Sequence, residues 1–248
     1  MDKLIDVVTP LGPNDEVETQ RAYTSSNIEN FRSHYIITNH GGFPDAVPCD
    51  NVLGRSFSIP EDSFPFTLNS LKPWFDSHQR IGWYLQQLLK LYAWKVIPDL
   101  SDPYVVVDAD TYFLKPIKFT ENGRLLFTKA TEHHKPYFAH MERLLPGLKR
   151  VQKASGVAHH MPLSHEVLSD LFERVEAHHD KPFWRAFMDC VDPEHRDGSG
   201  ASEYEIVFNF TQMYHPNKFE LRELAWRNRK RDKGLDISCD YVSLHWYL

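Results

Sequence analysis

A helix pattern followed by an uninterrupted apolar strand is the feature of this sequence that most constrains its fold. Between Arg80 and Val96, apolar residues recur at spacings of three and four, and Pro98 ends the pattern. The segment from Tyr104 to Val107 is continuously apolar, which is typical of a strand buried on both faces of a parallel sheet. Helix and buried strand in alternation predict an α/β sheet.

The same alternation extends along the chain. Leu4 to Val8 and His34 to Thr38 have strand character, and a polar segment of helical composition runs between them from Asn14 to about Arg32. Val167 to His178 and Glu203 to Met213 are predicted helices. A polar loop from Asp192 to Ala201, a basic run from Arg227 to Lys233 and a last strand from Tyr241 to Trp246 complete the pattern. No internal repeat and no long linker divides the chain, so we expect a single domain over residues 1–248.

The composition limits which binding partners and which cellular compartment we expect for the protein. The formal net charge of -6 leaves no overall basic field, so nucleic acid is not an expected partner. Cys49, Cys190 and Cys239 show no Cys-x-x-Cys spacing, which favours a reducing compartment. The first residues lack the layout of a secretion signal, and charged and amide residues interrupt the most apolar helix, from Ile81 to Ile97. We therefore expect no transmembrane segment and a cytoplasmic setting, bacterial or, for a viral protein, in the host.

Two aspartates follow the buried strand directly. Asp108 and Asp110 are one residue apart, so in an extended segment their side chains would point the same way. Open α/β sheets bind ligands at the carboxyl ends of their strands. Two carboxylates there can share a hard cation such as Mn²⁺ or Mg²⁺ that also takes diphosphate oxygens. The alternative for the pair is a solvated turn.

The aspartate region also carries a resemblance to a known family. The stretch Val-Val-Val-Asp-Ala-Asp-Thr-Tyr-Phe-Leu-Lys-Pro at 105–116 resembles the Asp-x-Asp region of GT-A glycosyltransferases. It is more closely similar to a group of predicted glycosyltransferases from bacteria and large algal viruses. Five further segments resemble that group in the same order: Gly-Trp-Tyr-Leu-Gln-Gln-Leu-Leu-Lys-Leu at 82–91, Pro-Tyr-Phe at 136–138, His-His-Met at 159–161, Ser-Glu-Tyr-Glu at 202–205 and Tyr-Val-Ser-Leu-His at 241–245.

The resemblance implies a fold and a reaction. The implied fold is GT-A, a Rossmann-like mixed sheet flanked by helices, with a nucleotide-binding half at 1–115 and an acceptor-binding half at 116–248. The implied reaction moves a sugar from a nucleoside-diphosphate sugar, a UDP-sugar by preference, to a hydroxyl of a glycan or glycoconjugate acceptor, with inversion preferred. The donor and its cation would be bound by Thr9, Pro10, Gln87, Lys90, Asp108, Ala109 and Asp110.

Several of these assignments have an ordinary structural alternative. Pro10 could simply end a strand. Gln87 and Lys90 share a helix face, from which Lys90 could reach the donor phosphates, bond an aspartate or be solvated. His245 resembles the late histidine that gives many GT-A enzymes a third metal ligand beside the aspartates. A hydrogen-bonded core histidine is the alternative for His245.

The second half supplies candidates for the acceptor side. The resemblance makes Glu203 the expected base that takes the proton from the acceptor hydroxyl, with Lys90 assisting the leaving diphosphate; Glu205 is the alternate base. A carboxylate that merely starts a helix is the alternative for Glu203. His159 or His160, which follow the small residues 155–158, would touch a sugar. Trp246 would stack on a sugar unless it packs in the core.

Two other functions remain open from the sequence. A phosphatase of the haloacid dehalogenase kind also places Asp-x-Asp after an apolar strand, but its pattern has Thr or Val where this chain has Tyr112, and its motif opens the domain. A binding module for carbohydrates on the same fold, without activity, is the other alternative. The basic run at 227–233 could hold an anionic acceptor or the diphosphate, although a solvated loop is the simpler interpretation.

Overall fold

A computed structural model describes residues 3–12, 15, 17–39, 55–77 and 80–245 of the chain. The predictions for Trp246 and Cys49 fall outside these ranges. The strands of the described residues are β1 (Ile5–Pro10), β2 (Phe31–Thr38), β3 (Arg55–Pro60), β4 (Tyr104–Val107), β5 (Thr111–Phe113), β6 (Thr120–Glu121), β7 (Arg124–Thr128), β8 (His160–Leu163), β9 (Phe219–Arg222), β10 (Trp226–Lys230) and β11 (Tyr241–His245). Short 3-10 helices cover Glu61–Ser63, Lys72–Trp74, Pro193–His195 and Arg231–Lys233.

Helices connect and cover these strands. They are α1 (Val17–Asn27), α2 (Leu68–Leu71), α3 (Ile81–Val96), α4 (Lys135–Leu144), α5 (His165–His179), α6 (Phe183–Asp189) and α7 (Glu203–Tyr214). No helix within the described ranges is long and apolar enough to cross a membrane.

The central sheet has five strands in the order β3-β2-β1-β4-β8. The first four are parallel, and β8 runs antiparallel to β4. The chain is therefore α/β with a mixed central sheet flanked by helices, compatible with a Rossmann-like fold. Because β2 lies on one side of β1 and β4 on the other, a crevice opens outside the carboxyl ends of β1 and β4. Ligands of open α/β sheets bind at such a crevice.

The strand β4 is buried on both faces, as its sequence predicts. Tyr104 and Val106 belong to the larger apolar cluster, together with residues of α3, α5, α6 and α7. Val105 and Val107 belong to a second cluster that includes residues of β1 and β5. All four side chains are fully buried, which fixes the position at which the chain leaves the sheet.

Most predicted elements are confirmed, with shifted ends. The helices expected at 80–96, 167–178 and 203–213 are α3, α5 and α7. The helix expected from Asn14 to Arg32 is shorter, because Asn30 adopts a left-handed backbone with φ of 59° and β2 begins at Phe31. The solvated-loop interpretation of the basic run is wrong for its first part, since Trp226–Lys230 forms β10.

Two smaller sheets complete the fold. One has the order β10-β11-β5 and the other the order β6-β7-β9. β11 pairs in parallel with β10 and antiparallel with β5, the strand that follows the aspartates. The last described strand thus lies beside the aspartate segment, where the Thr111 hydroxyl is 2.8 Å from the Ser243 hydroxyl.

Buried histidines give the fold a dependence on pH. Burial lowers the pKa of His34 to about 3, and burial lowers that of His140 to about 4 against the opposing hydrogen bond with the Phe187 carbonyl. Both side chains are therefore neutral in the folded protein, whereas an unfolded histidine has a pKa of about 6.5. Their contribution to stability is present above pH 6.5 and is lost as the pH falls towards the folded pKa.

We expect His140→Gln to reduce the acid sensitivity of folding, since a glutamine amide can still donate to the Phe187 carbonyl but cannot take up a proton. The difference in unfolding free energy between pH 7 and pH 5 should shrink by about 2 kcal/mol. Urea unfolding of both proteins at the two pH values measures this difference. An unchanged difference would contradict a neutral, buried His140.

Candidate functional site

A cleft of about 520 Å³ opens outside the carboxyl ends of β1 and β4. Segments far apart in the sequence form its walls. The lining residues used below are Pro10, Gly12, Asp15, Glu61, Arg80, Trp83, Asp108, Ala109, Asp110, Glu132, Tyr137, Val157, His159, Glu203, Tyr204 and His245. Residues of both predicted halves, 1–115 and 116–248, line the cleft. The cleft therefore does not test the division at residue 115, which stays a prediction.

The aspartates stand on a tight turn between β4 and β5. The backbone N–H of Thr111 donates to the Asp108 carbonyl over 3.0 Å, which closes the turn. The expectation of an extended segment is therefore wrong, because the chain turns at Ala109 and Asp110 before β5 begins and pairs with β11. Asp108 and Asp110 nevertheless line the same cleft.

Lys90 is the centre of a buried polar network beneath the cleft. Its ammonium group, which is fully buried, donates to the Asp108 carboxylate, to Glu203 Oε1 over 2.8 Å and to the Tyr204 hydroxyl over 3.3 Å. The Tyr204 hydroxyl in turn donates to Asp108 Oδ1 over 2.8 Å. Since an ammonium has three N–H groups, this network uses all of them. Lys90 thus bonds an aspartate, and a contact with a donor phosphate would require one of these bonds to break.

The charges of this network stabilise one another. Burial opposes the charged form of Lys90, but the carboxylates of Asp108 and Glu203 outweigh it and raise the lysine pKa. Burial likewise opposes the Asp108 carboxylate, yet Lys90 and His159 bring its pKa well below the ordinary value. Burial raises the pKa of Glu203, and Lys90 only partly offsets this. Glu203 is consequently the more basic of the two carboxylates.

Replacing Lys90 should destabilise the fold strongly. In Lys90→Met, Asp108 and Glu203 lose their buried counter-charge, so we expect a loss of about 3–5 kcal/mol in unfolding free energy. Adding Glu203→Gln should recover part of it, because one uncompensated carboxylate is then removed. Chemical denaturation of the single and double variants measures both effects. Lys95→Met, at an exposed lysine of the same helix, is the control, and an equal loss in both lysine variants would refute the network's role.

His159 faces the cleft in a conformation that few residues adopt. Its backbone φ is 64°, its carbonyl accepts from the Asp108 N–H over 2.9 Å, and its ring Nδ1 lies 3.2 Å from Asp108 Oδ2. Burial lowers the pKa of His159, but the hydrogen bond to Asp108 and the negative charges of Asp108 and Asp110 together outweigh it, so the pKa is raised overall. Left-handed backbone at a non-glycine residue is often held in place at binding sites.

Asp110 and His245 form the second pair at the cleft. The histidine Nδ1 lies 2.7 Å from Asp110 Oδ2, and His245 is only 4% exposed. The backbone N–H of Leu244 donates to the Asp110 carbonyl over 2.8 Å, so β11 fixes the histidine beside the aspartate. The resemblance implies that His245 is a metal ligand beside the aspartates. In the structure, His245 contacts one of them, Asp110.

The donor types fit a divalent cation, although the arrangement is not a ready-made cage. Carboxylate and imidazole are suitable ligands for Mn²⁺. Asp110 and His245 already touch, whereas both oxygens of Asp108 accept hydrogen bonds from Lys90, Tyr204 and His159. Within the described ranges, no three His, Cys, Asp or Glu side chains form a group that could hold a metal ion. The residues therefore fit a cation for which the ligand supplies further oxygens.

Behind the cleft wall lie two of the predicted site residues, Thr9 and Gln87. The Thr9 hydroxyl, fully buried, pairs with His34 Nε2 at 2.8 Å, and Gln87 accepts the backbone N–H of Glu203 over 3.0 Å. Gln87 thus holds the first turn of α7 in place. The face of α3 that carries Gln87 and Lys90 is not solvated, because α7 packs against it. Pro10 and Ala109, in contrast, line the cleft as expected.

His160 and Glu205 are also directed into the interior. His160 Nε2 lies 3.0 Å from the Thr128 hydroxyl, and burial lowers the pKa of this histidine far below its ordinary value. Glu205 accepts from the Ser155 hydroxyl over 2.5 Å and from the Asn209 amide over 2.9 Å. Direct contact with a ligand in the cleft is therefore not expected for either residue.

The small residues before His159 have a packing explanation. A Cβ added to Gly156 would lie 2.5 Å from the Phe208 side chain and 2.9 Å from the Tyr204 carbonyl oxygen. The glycine thus permits close approach of its segment to α7. Val157 is the member of this segment that lines the cleft.

Other residues of the cleft are less evident from the sequence. Asp15 follows β1, and its carboxylate accepts from the Gly12 N–H over 2.9 Å. Burial raises the pKa of Asp15, against this hydrogen bond, and the charges of Asp110 and Asp108 raise it further. Trp83 and Tyr137 form a partly stacked aromatic wall with centroids 6.4 Å apart. Asp15 could have been found because it follows the end of β1. Trp83 and Tyr137 could have been found because they belong to the motifs at 82–91 and 136–138.

A protein-family model matches residues 11–221, most of the chain. The chain belongs to a family of unknown function, DUF6492. No curated protein matches it. The matched range of this family contains Asp15, Lys90, the aspartate turn, His159 and Glu203, while His245 follows it. Family membership assigns no activity to the cleft, so the function has to be inferred from the site itself.

Proposed function

We propose that the protein is a cation-dependent glycosyltransferase of the GT-A kind. It transfers a sugar from a nucleoside-diphosphate sugar, a UDP-sugar by preference, to a hydroxyl of a glycan or glycoconjugate. The observation that carries this proposal is the convergence of the six motifs at 82–91, 105–116, 136–138, 159–161, 202–205 and 241–245 on one cleft. Motifs that are separate in the chain but share a cleft are expected when they serve one ligand.

The charge of the cleft supports the need for a cation. Among the described residues, Arg80 is the basic side chain of the lining besides the histidines. The acidic residues that line the cleft there are Asp15, Glu61, Asp108, Asp110, Glu132 and Glu203. A diphosphate would meet repulsion here unless a cation came with it. When bound, the cation neutralises the charge that grows on the leaving diphosphate. Asp110 and His245 would hold it directly, and Asp108 would join them by exchanging a present hydrogen bond.

Glu203 would receive the proton of the acceptor hydroxyl. It lines the cleft at the first residue of α7, and its pKa is raised by burial, which makes it a stronger base. As the hydroxyl oxygen bonds to the anomeric carbon and the nucleoside diphosphate leaves, the proton passes to a Glu203 oxygen. Lys90 bonds both Glu203 and Asp108, so it positions these carboxylates and does not itself touch the donor.

Nucleotide and cation should bind together. In calorimetry, we expect UDP and UDP-sugars to bind at least about tenfold more tightly with Mn²⁺ than without it, and Asp110→Ala to remove this gain. Mn²⁺ alone should bind weakly, because Asp108 is committed to its hydrogen bonds. The matched control is Asp62→Ala, which removes an exposed carboxylate beside Glu61. Metal-independent nucleotide binding, or none, would overturn the proposal and favour the phosphatase or the carbohydrate-binding module.

Glu203→Gln should separate catalysis from donor binding. Loss of a general base lowers the turnover rate by about 10²–10⁴-fold, while Mn²⁺-dependent UDP binding should remain. Donor hydrolysis or transfer to a panel of glycan acceptors, followed as released UDP, measures the rate. Glu132→Gln, at an exposed carboxylate of the same cleft, is the control. A larger loss of turnover rate in Glu132→Gln than in Glu203→Gln would identify Glu132 as the base.

A further inference from the structure

Basic side chains are concentrated on one edge of the fold. Residues 227–233 contain five basic residues and one acidic residue, in a chain whose formal net charge is -6. They lie on β10, the edge strand of its sheet, and on the 3-10 turn Arg231–Lys233 that follows. Lys230 and Lys233 are exposed. We call residues 226–233 together with Ile237 the basic edge.

An exposed apolar side chain lies within the basic edge. Ile237 is 85% exposed, more than the other large apolar side chains that are exposed in the described ranges, of which the next is Leu4 at 56%. Asp236, its neighbour, pairs with Arg227 over 3.0 Å, which folds the turn back against β10. Ile237 is thus held next to the basic strand, and no residue in the described part of the chain covers it.

The basic edge adjoins the cleft. Arg231 lies 3.7 Å from the carboxylate of Asp15, which lines the cleft. The Trp226 ring contacts the His159 ring edge to face, with centroids 5.5 Å apart. A surface bound by the basic edge would therefore lie close to the cleft.

We propose that the basic edge binds the surface of an anionic lipid bilayer and brings the cleft close to acceptors carried by that bilayer. A soluble polyanion would neutralise Lys230 and Lys233 but would leave Ile237 in water. The interface of an anionic bilayer accommodates both, since it attracts basic side chains and takes up apolar ones. The role of bilayer-borne acceptors rests on the proposed function, whereas binding to the bilayer does not, because vesicle binding requires neither donor nor acceptor.

Cosedimentation with vesicles tests the proposal. The full chain should bind phosphatidylcholine vesicles that contain about 30% phosphatidylglycerol and should not bind pure phosphatidylcholine vesicles. Lys230→Glu with Lys233→Glu should weaken binding at least about 30-fold, and Ile237→Ser about tenfold. Raising the salt to about 0.5 M should release the protein. These side chains are exposed, so circular dichroism should show unchanged folding.

The chain offers a matched control at a second basic segment with an exposed apolar residue. Lys149, Val151 and Lys153 are exposed, and Val151 is 47% exposed, but none of the three lines the cleft. Lys149→Glu with Lys153→Glu, and Val151→Ser, should leave binding within about twofold of the wild type. Equal loss in the control variants, or equal binding to neutral vesicles, would overturn the proposal. Binding to heparin that is unaffected by Ile237→Ser, with no vesicle binding, would replace the bilayer with a soluble polyanion.

Discussion

The buried ammonium of Lys90 is the interaction on which the rest of the site depends. It joins three elements that are far apart in the chain, because it lies on α3 and bonds Asp108 after β4 and Glu203 at the start of α7. A lysine is rarely fully buried unless it is paired, and its pairing here makes two carboxylates compatible with a buried position. Without it, the carboxylates of Asp108 and Glu203 would repel each other.

The sheet topology explains why the remaining groups meet at the same place. The crevice outside β1 and β4 follows from the strand order, and β8 adds His159 because the chain reaches β8 from the same end of the sheet. β11 arrives from the last described part of the chain and pairs with β5, so that His245 lies against Asp110. Backbone pairing, which depends little on the identity of the side chains, thus determines which residues share the cleft.

The sequence predicts structure well where the residue pattern of one helix or strand determines it. It predicts less well where a side chain's direction depends on how two elements pack. An uninterrupted apolar run predicts the strand Tyr104–Val107, apolar periodicity predicts α3, and both positions are confirmed. The inward direction of Gln87 cannot be read from α3, because it depends on α7 packing against that face. Thr9, His160 and Glu205 stand beside cleft residues in the sequence, and alternation along a strand or helix turns them into the interior. Motif membership therefore predicts the neighbourhood of a residue but not the side to which it points.

Charge is distributed in two opposite ways around the cleft. Its interior is acidic, which disfavours a bare diphosphate, while the basic edge beside it is the most positive segment of an acidic chain. If the basic residues served the donor phosphates, they would be expected inside the cleft, yet Lys230 and Lys233 are exposed on the edge strand and its following turn. Within the cleft, a cation that arrives with the ligand is the simplest source of the missing positive charge. Under the two proposals, the acidic interior would meet a diphosphate bound through a cation, and the basic edge would meet an anionic surface bound directly.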